Sequence, residues 1–192
     1  MIEPLSRSFF DHDPTHVAPA LLGKLLIRRW RGHQHCVRLV ETEAYVGTGD
    51  AAAHSAVGRT DRNAVLFGEP GHAYVYLIYG LHWCLNVSTL PEGQAGGVLF
   101  RAAAEPGAPP LRYSGPGRLT RALAIARAAN GCDLTLPGAL YLADDGFQAP
   151  EIAVTERVGI RKAEHLPYRF YLPGFDAVTR PRSPVRARLR GQ

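Results

Sequence analysis

Glu41 and Glu43, with Tyr45 two residues further on, are the groups in this chain best spaced for chemistry. The run Leu39-Val40-Glu41-Thr42-Glu43-Ala44-Tyr45 fits strand alternation, in which side chains two apart share a face. Counted from His35, that face carries His35, Val37, Leu39, Glu41, Glu43 and Tyr45, and β-branched residues on both faces suit a strand. Apolar neighbours disfavour the charged form of a carboxylate, so whichever glutamate lies deeper is a candidate general base. A plainer reading of the same motif pairs both glutamates with arginines at a strand end, in a purely structural role.

A second constellation lies in Tyr74-Val75-Tyr76-Leu77-Ile78-Tyr79-Gly80-Leu81-His82-Trp83-Cys84-Leu85-Asn86-Val87-Ser88. Two β-favouring runs flank a glycine, which predicts a hairpin with its tip at 79–82. Tyr76 and Tyr79 are an odd number of residues apart and face opposite sides of a regular strand. Tyr76 can then line a pocket while Tyr79, at the tip, points elsewhere. An aromatic ring on a hairpin tip can wedge between stacked bases, offsetting an unstacking cost of a few kcal/mol per step. The alternative is that Tyr74, Tyr76 and Tyr79 are ordinary residues of a half-buried sheet. Asn86, on the returning strand, would need partners for a buried amide and could discriminate between ligand edges, or it could simply be an edge residue. A metal site would require His54, Asp50 and Glu41 or Glu43 to converge, but no H-E-x-x-H or comparable spacing occurs. Phosphate-loop, dinucleotide and nucleophile-elbow motifs are also missing from the sequence.

The elements that must position these groups follow from the rest of the chain. Asp13-Pro14 before 15–22, with Gly23 beyond, reads as a short capped helix that Pro19 makes irregular. Segments 24–30 and 35–45 form a hairpin around Arg31-Gly32. Segment 98–102 is a strand with Leu99 and Arg101 on one face, 118–129 has helical apolar spacing, and short strands are predicted at 139–142, 152–154 and 169–172. The stretch 47–71 lacks periodicity and is long for a structureless loop in a compact domain, which marks it as functional or disordered. Strands dominate, helices are segregated and no βαβ alternation appears. The fold class is α+β: a single domain over 1–179, with a curved, mainly antiparallel sheet, a protruding β-hairpin and flanking helices.

At 192 residues and 46% hydrophobic content the chain suffices for one sizeable core. It shows no leader peptide or spanning apolar run, so a non-exported, cytoplasmic protein without a membrane partner is expected, nucleoid-associated if bacterial. Its three cysteines form no C-x-x-C pair, which fits a reducing compartment. Of 22 basic and 17 acidic residues, five arginines crowd into 180–192 without an acid, and the two sets are equal once these are set aside. Any basic face on the body must therefore arise from uneven placement, while the tail at 180–192 is expected to be a mobile arm able to touch phosphates. Arginine outnumbers lysine 20 to 2, which favours forked phosphate contacts, though a GC-rich genome would give the same bias.

Taken in order, Glu43-Ala44-Tyr45, Ala53-His54-Ser55, the run 74–88, Val98-Leu99-Phe100-Arg101-Ala102, Gly115-Pro116-Gly117-Arg118-Leu119 and Arg157-Val158-Gly159-Ile160 resemble the alkyladenine (3-methyladenine) DNA glycosylase family over roughly residues 7–172. The resemblance implies a monofunctional DNA glycosylase of base excision repair. Such an enzyme hydrolyses the N-glycosidic bond of an alkylated or deaminated purine turned out of duplex DNA, leaves an abasic site, and uses no metal or other cofactor. It implies Glu43 as the base that activates water and Arg101 as the residue that helps hold it. Tyr45, His54 and Tyr76 would sandwich the extruded base, Asn86 would disfavour guanine, and Tyr79 would fill the gap in the duplex. Arg59 and Arg62 fall where phosphate contacts are expected. Damaged double-stranded DNA is the implied partner, and a monomer the expected state.

Overall fold

The computed structural model describes residues 2–179 and 187–189. After a short strand, β1 (Glu3–Pro4), helix α1 (Pro14–Ala20) begins where the Asp13 carboxylate accepts the Thr15 amide at 2.8 Å, with Pro14 in the first turn. The predicted hairpin follows as β2 (Leu25–Trp30) and β3 (His33–Tyr45). Its turn places Arg31 at φ 47° and Gly32 at φ 78°, the doubly left-handed pair that matches the twist of two-residue hairpins.

The remaining strands are β4 (Ala73–Ile78), β5 (His82–Thr89), β6 (Gly96–Ala104), β7 (Leu140–Asp144), β8 (Ile152–Thr155), β9 (Arg169–Tyr171) and β10 (Ala187–Leu189). All pairings are antiparallel, in the order β1-β7-β2-β3-β6-β5-β4. β3 is long enough to hold β2 along its first half and β9 along its second, with β6 on its other edge, and β8 and β10 extend from β9. The sheet curls into a half-barrel, giving the expected single-domain α+β fold.

One apolar cluster fills the fold, with Phe10, Leu21, Val40, Leu85, Phe100 and Leu119 at its heart. α1 closes it from one side, where the Thr42 hydroxyl donates to the Ala18 carbonyl at 2.8 Å. A second helix, α2 (Pro116–Ala122), covers β5, and the Thr120 hydroxyl donates to the Trp83 carbonyl at 2.9 Å. This helix is shorter than the predicted 118–129. Ala124 turns left-handed at φ 49°, the Ala124 amide returns to Arg121 and the Ile125 amide to Thr120, which is a Schellman ending. Alanine in the position that glycine usually takes leaves little trace in sequence. The spacing beyond it belongs to a separate 3-10 turn, Arg127–Ala129.

The stretch 47–71 is ordered by 3-10 turns at His54–Val57 and Ala64–Phe67 rather than by a helix or strand. Gly47, at φ 59°, starts it because a side chain there would collide with the Ala95 carbonyl. Asn63 ties its middle, donating to the carbonyls of His54 (3.0 Å) and Gly58 (2.9 Å). Among the described residues no helix is long and apolar enough to cross a membrane, and the cysteines are free thiols. The arginine-rich segment expected to be mobile lies outside the described residues, apart from the backbone of β10.

Candidate active site

Glu41 and Glu43 are both fully buried, and each meets an arginine, but on unequal terms. Glu41 Oε1 accepts from Arg101 Nε at 3.0 Å and Arg169 Nε at 2.7 Å, and its Oε2 accepts the Thr179 amide at 2.8 Å. Shared between two guanidinium groups, it is the structural carboxylate of the plainer reading. Glu43 Oε1 accepts the Val158 amide at 2.7 Å, and Oε2 accepts the Tyr45 hydroxyl at 3.0 Å and Arg101 Nη1 at a long 3.3 Å. The surroundings of Glu43 are thus a polar nest, not the apolar neighbourhood that alternation from Val37 and Leu39 suggested. The register slips between Leu39 and Glu41 and again before Thr42, so alternation does not run unbroken along β3. Burial opposes the charge on Arg101, but Glu43 and Glu41 beside it outweigh burial and raise its pKa.

In front of this pair opens a cavity of about 230 Å³. Tyr45, His54, Tyr76, Tyr79, Asn86 and Arg101, drawn from β3, the 47–71 stretch, the β4–β5 hairpin and β6, all line it. Glu43 itself is fully buried one layer behind, hydrogen-bonded to Tyr45, Arg101 and Val158, which form that part of the wall. The rings of His54 and Tyr76 touch edge to face, with centroids 4.3 Å apart and planes at 65°. A flat ligand stacked between two walls needs them about 7 Å apart, twice a carbon contact distance. With the rings in contact no flat ligand fits between these two, so a base would stack against them from the cavity side.

Tyr74 also belongs to the site, although the sequence offered it only as a sheet residue. Its position two residues before Tyr76 was the available signal, since both must share a face. Its hydroxyl lies 3.0 Å from His54 Nδ1, and its carbonyl accepts Asn86 Nδ2 at 3.1 Å, so one residue orients the imidazole and the amide. Desolvation and then the charge of Arg62 lower the pKa of His54, which keeps its ring neutral. Burial raises the pKa values of Tyr45 and Tyr76, which stay as phenols.

Tyr79 stands at the hairpin tip, 81% exposed, with φ 52° followed by Gly80 at φ 67°. The doubly left-handed turn aims a bulky ring into solvent at a backbone position that most side chains avoid. Leu81 beside it is also exposed. Arg62 braces the hairpin, donating to the Leu77 carbonyl at 3.0 Å with its guanidinium 5.9 Å from the Tyr76 ring. Arg59 is exposed on the same stretch and does not line the cavity.

Asp50 does not join the glutamates as a metal ligand. Both of its oxygens are taken by Arg157, at 2.5 and 2.8 Å, and by the amides of Val46 and Ala52. Among the described residues no group of three or more His, Cys, Asp or Glu is placed to hold a metal. The Asp50–Arg157 pair is instead a clamp. Arg157 also donates to the Ala44 carbonyl at 2.9 Å and lies 4.6 Å from the Tyr45 ring, holding Val158 against Glu43. Nothing in a sequence links residues 107 positions apart, so this clamp was invisible until the chain folded. Burial would raise the Asp50 pKa, but the Arg157 hydrogen bonds and charge prevail and lower it. A carboxyl depressed in the fold stabilises above its unfolded pKa of 3.8 and loses that contribution as pH falls through its folded value. The difference in melting temperature between wild type and Asp50→Asn should hold steady from neutral pH to about 4 and shrink below it. A difference that grew on acidification would contradict the clamp.

Aromatic walls, an oriented amide and a carboxylate–arginine pair behind one wall make a site for a flat heterocycle. The Methylpurine-DNA glycosylase family model matches residues 8–176. A protein of Koribacter versatilis (strain Ellin345), provisionally named a 3-methyladenine DNA glycosylase, is 51% identical over 189 residues, covering 90% of this chain and 91% of its own. Relatives given the same provisional name in Carboxydothermus hydrogenoformans (45% identical, 88% of this chain and 94% of theirs) and Methanocella arvoryzae (43%, 87% and 91%) agree. The chain belongs to the methylpurine-DNA glycosylase family.

Proposed function

We propose that this protein is a monofunctional DNA glycosylase that turns alkylated or deaminated purines out of duplex DNA and hydrolyses their N-glycosidic bond. The observation that carries this reading is the convergence of Glu43 Oε2, Arg101 Nη1 and the Val158 carbonyl, 3.5 Å from that nitrogen, at the wall of an aromatic cavity. A water held there would donate one proton towards Glu43 and the other to the Val158 carbonyl, leaving a lone pair for the sugar C1′. Bond cleavage develops positive charge on the sugar, which the same carboxylate stabilises. Arg101 lies against the Glu43 oxygen that would take the proton, and the long 3.3 Å contact leaves that oxygen able to accept it.

Tyr45, His54 and Tyr76 supply ring faces for the base, and the neutral His54 imidazole can stack on a cationic alkylated purine without charge repulsion. Asn86, fixed by the Tyr74 carbonyl, would meet the exocyclic amine of guanine and disfavour it. Weakly paired lesions cost less to extrude, which adds selectivity. Arg62, Arg59 and the arginine-rich tail would contact phosphates, and the working unit would be a monomer. The test is product analysis on single-lesion duplexes: free base and an abasic strand that stays intact until alkali, with no effect of chelators. Immediate strand cleavage would overturn the reading.

For Tyr79 as the wedge, Tyr79→Gly should cut excision from duplex DNA about 10- to 100-fold at limiting enzyme, matching a loss of roughly 1.4–3 kcal/mol of compensation for unstacking. Glycine also relieves the left-handed strain, so thermal stability should stay within about 1 kcal/mol. A lesion in single-stranded DNA should be processed almost as by wild type. An equal loss on single strands would show that Tyr79 acts in the pocket and not between bases.

A further inference from the structure

The charge of the body is neutral only in total. Residues 14–40 contain five basic residues and 106–132 contain four, with no Asp or Glu in either stretch. Lys24 and Arg38, from the first stretch, are neutralised by Asp144 and Asp145. Arg28, Arg29 and Arg31 at the β2–β3 tip, and Arg118 and Arg121 on α2, enter no ion pair among the described residues.

The tip is ordered by aromatic contacts instead. Trp30 is 46% exposed, with the guanidinium carbons of Arg28 and Arg31 at 5.0 and 5.5 Å from its ring. Arg28 is further pinned to the carbonyls of Leu123 and Ala124, at the end of α2. Arg31 therefore presents an unneutralised fork on a rigid turn.

Topology aims this tip the same way as the wedge. β3 and β5 both run antiparallel to β6 and so parallel to each other, which brings the Arg31-Gly32 and Tyr79-Gly80-Leu81 turns out at one end of the sheet. α2 and its C-terminal turn join them: Thr120 is tied to Trp83 on the wedge hairpin, and the carbonyls of Leu123 and Ala124 just beyond the helix to Arg28 on the other. Seven helical residues span about 10 Å, well under the ~34 Å of one duplex turn, and Arg118 and Arg121 on this connecting helix are exposed.

We propose that the β2–β3 tip is a second DNA contact, in which Arg31, with Trp30 as its platform, takes the phosphate backbone of undamaged duplex flanking the lesion. This rests on the proposed function for its partner, but its readout does not need base release. The experiment measures binding to an undamaged duplex across a salt series for wild type, Arg31→Gly and Trp30→Ala, with single-turnover excision at saturating enzyme alongside. Glycine suits the left-handed Arg31 position, so the turn should survive. The expected result for Arg31→Gly is weaker binding at low salt and a salt slope reduced by about one unit, with saturating excision unchanged. Trp30→Ala should show a partial version of the same effect. Unchanged affinity and slope in both variants would overturn the proposal, as would a loss confined to lesion-bearing DNA. Wild type that binds duplex but releases no base would instead refute the proposed function and leave this contact standing.

Discussion

Glu43→Gln should bind lesion-bearing duplex as tightly as wild type and release base at least about a thousandfold more slowly. The substitution keeps the side-chain shape and the Val158 amide bond, while removing both the proton acceptor and the negative charge opposite the developing cation. General-base catalysis accounts for about 10²- to 10⁴-fold, and loss of electrostatic stabilisation adds to it. Arg101 keeps Glu41 as its partner, so the fold should survive. Single-turnover excision of hypoxanthine or 3-methyladenine, measured beside equilibrium binding, checks both halves. Excision at the wild-type rate would end the case for Glu43 as the base.

The adjacent carboxylate should fail in a different way. Glu41→Ala leaves Arg101 and Arg169, both buried, to share what Glu43 and a few carbonyls and hydroxyls can offer. Removing one partner from a buried charge network costs about 3–5 kcal/mol, a large part of the roughly 5–15 kcal/mol that holds a domain together. Urea unfolding should show that loss as a lowered midpoint. A midpoint equal to wild type would mean that the network contributes nothing net. Together, the two substitutions separate a rate defect from a stability defect in carboxylates only two residues apart.

Why those two residues differ could not be read from their surroundings in sequence. Both stand on the same alternating run, and alternation alone offered either as the base. Their surroundings were set apart by Arg169 and the Thr179 amide, which arrive from β9 and the chain beyond it to saturate Glu41, and by Val158, which brings the cavity wall to Glu43. The hairpins were legible because turn chemistry is local: Arg31-Gly32 and Tyr79-Gly80 announce themselves through a glycine between β-favouring runs. The end of α2 was not, because an alanine took the left-handed position. In the 47–71 stretch, the sequence carried the absence of periodicity but not the Asp50–Arg157 clamp that orders it.

By itself, then, the sequence determined the antiparallel α+β architecture and the family, and it supplied the candidate side chains for the proposed chemistry, since alternation, turns and residue type act over a few positions. Tertiary structure alone decided which carboxylate lies behind Tyr45 and Val158 of the cavity wall, which one is shared between Arg101 and Arg169, that the His54 and Tyr76 rings meet edge to face, and that two hairpin tips leave the same end of the sheet. Those outcomes depend on charges and hydrogen bonds between residues more than a hundred positions apart, and on strand register, and neither exists until the chain has folded.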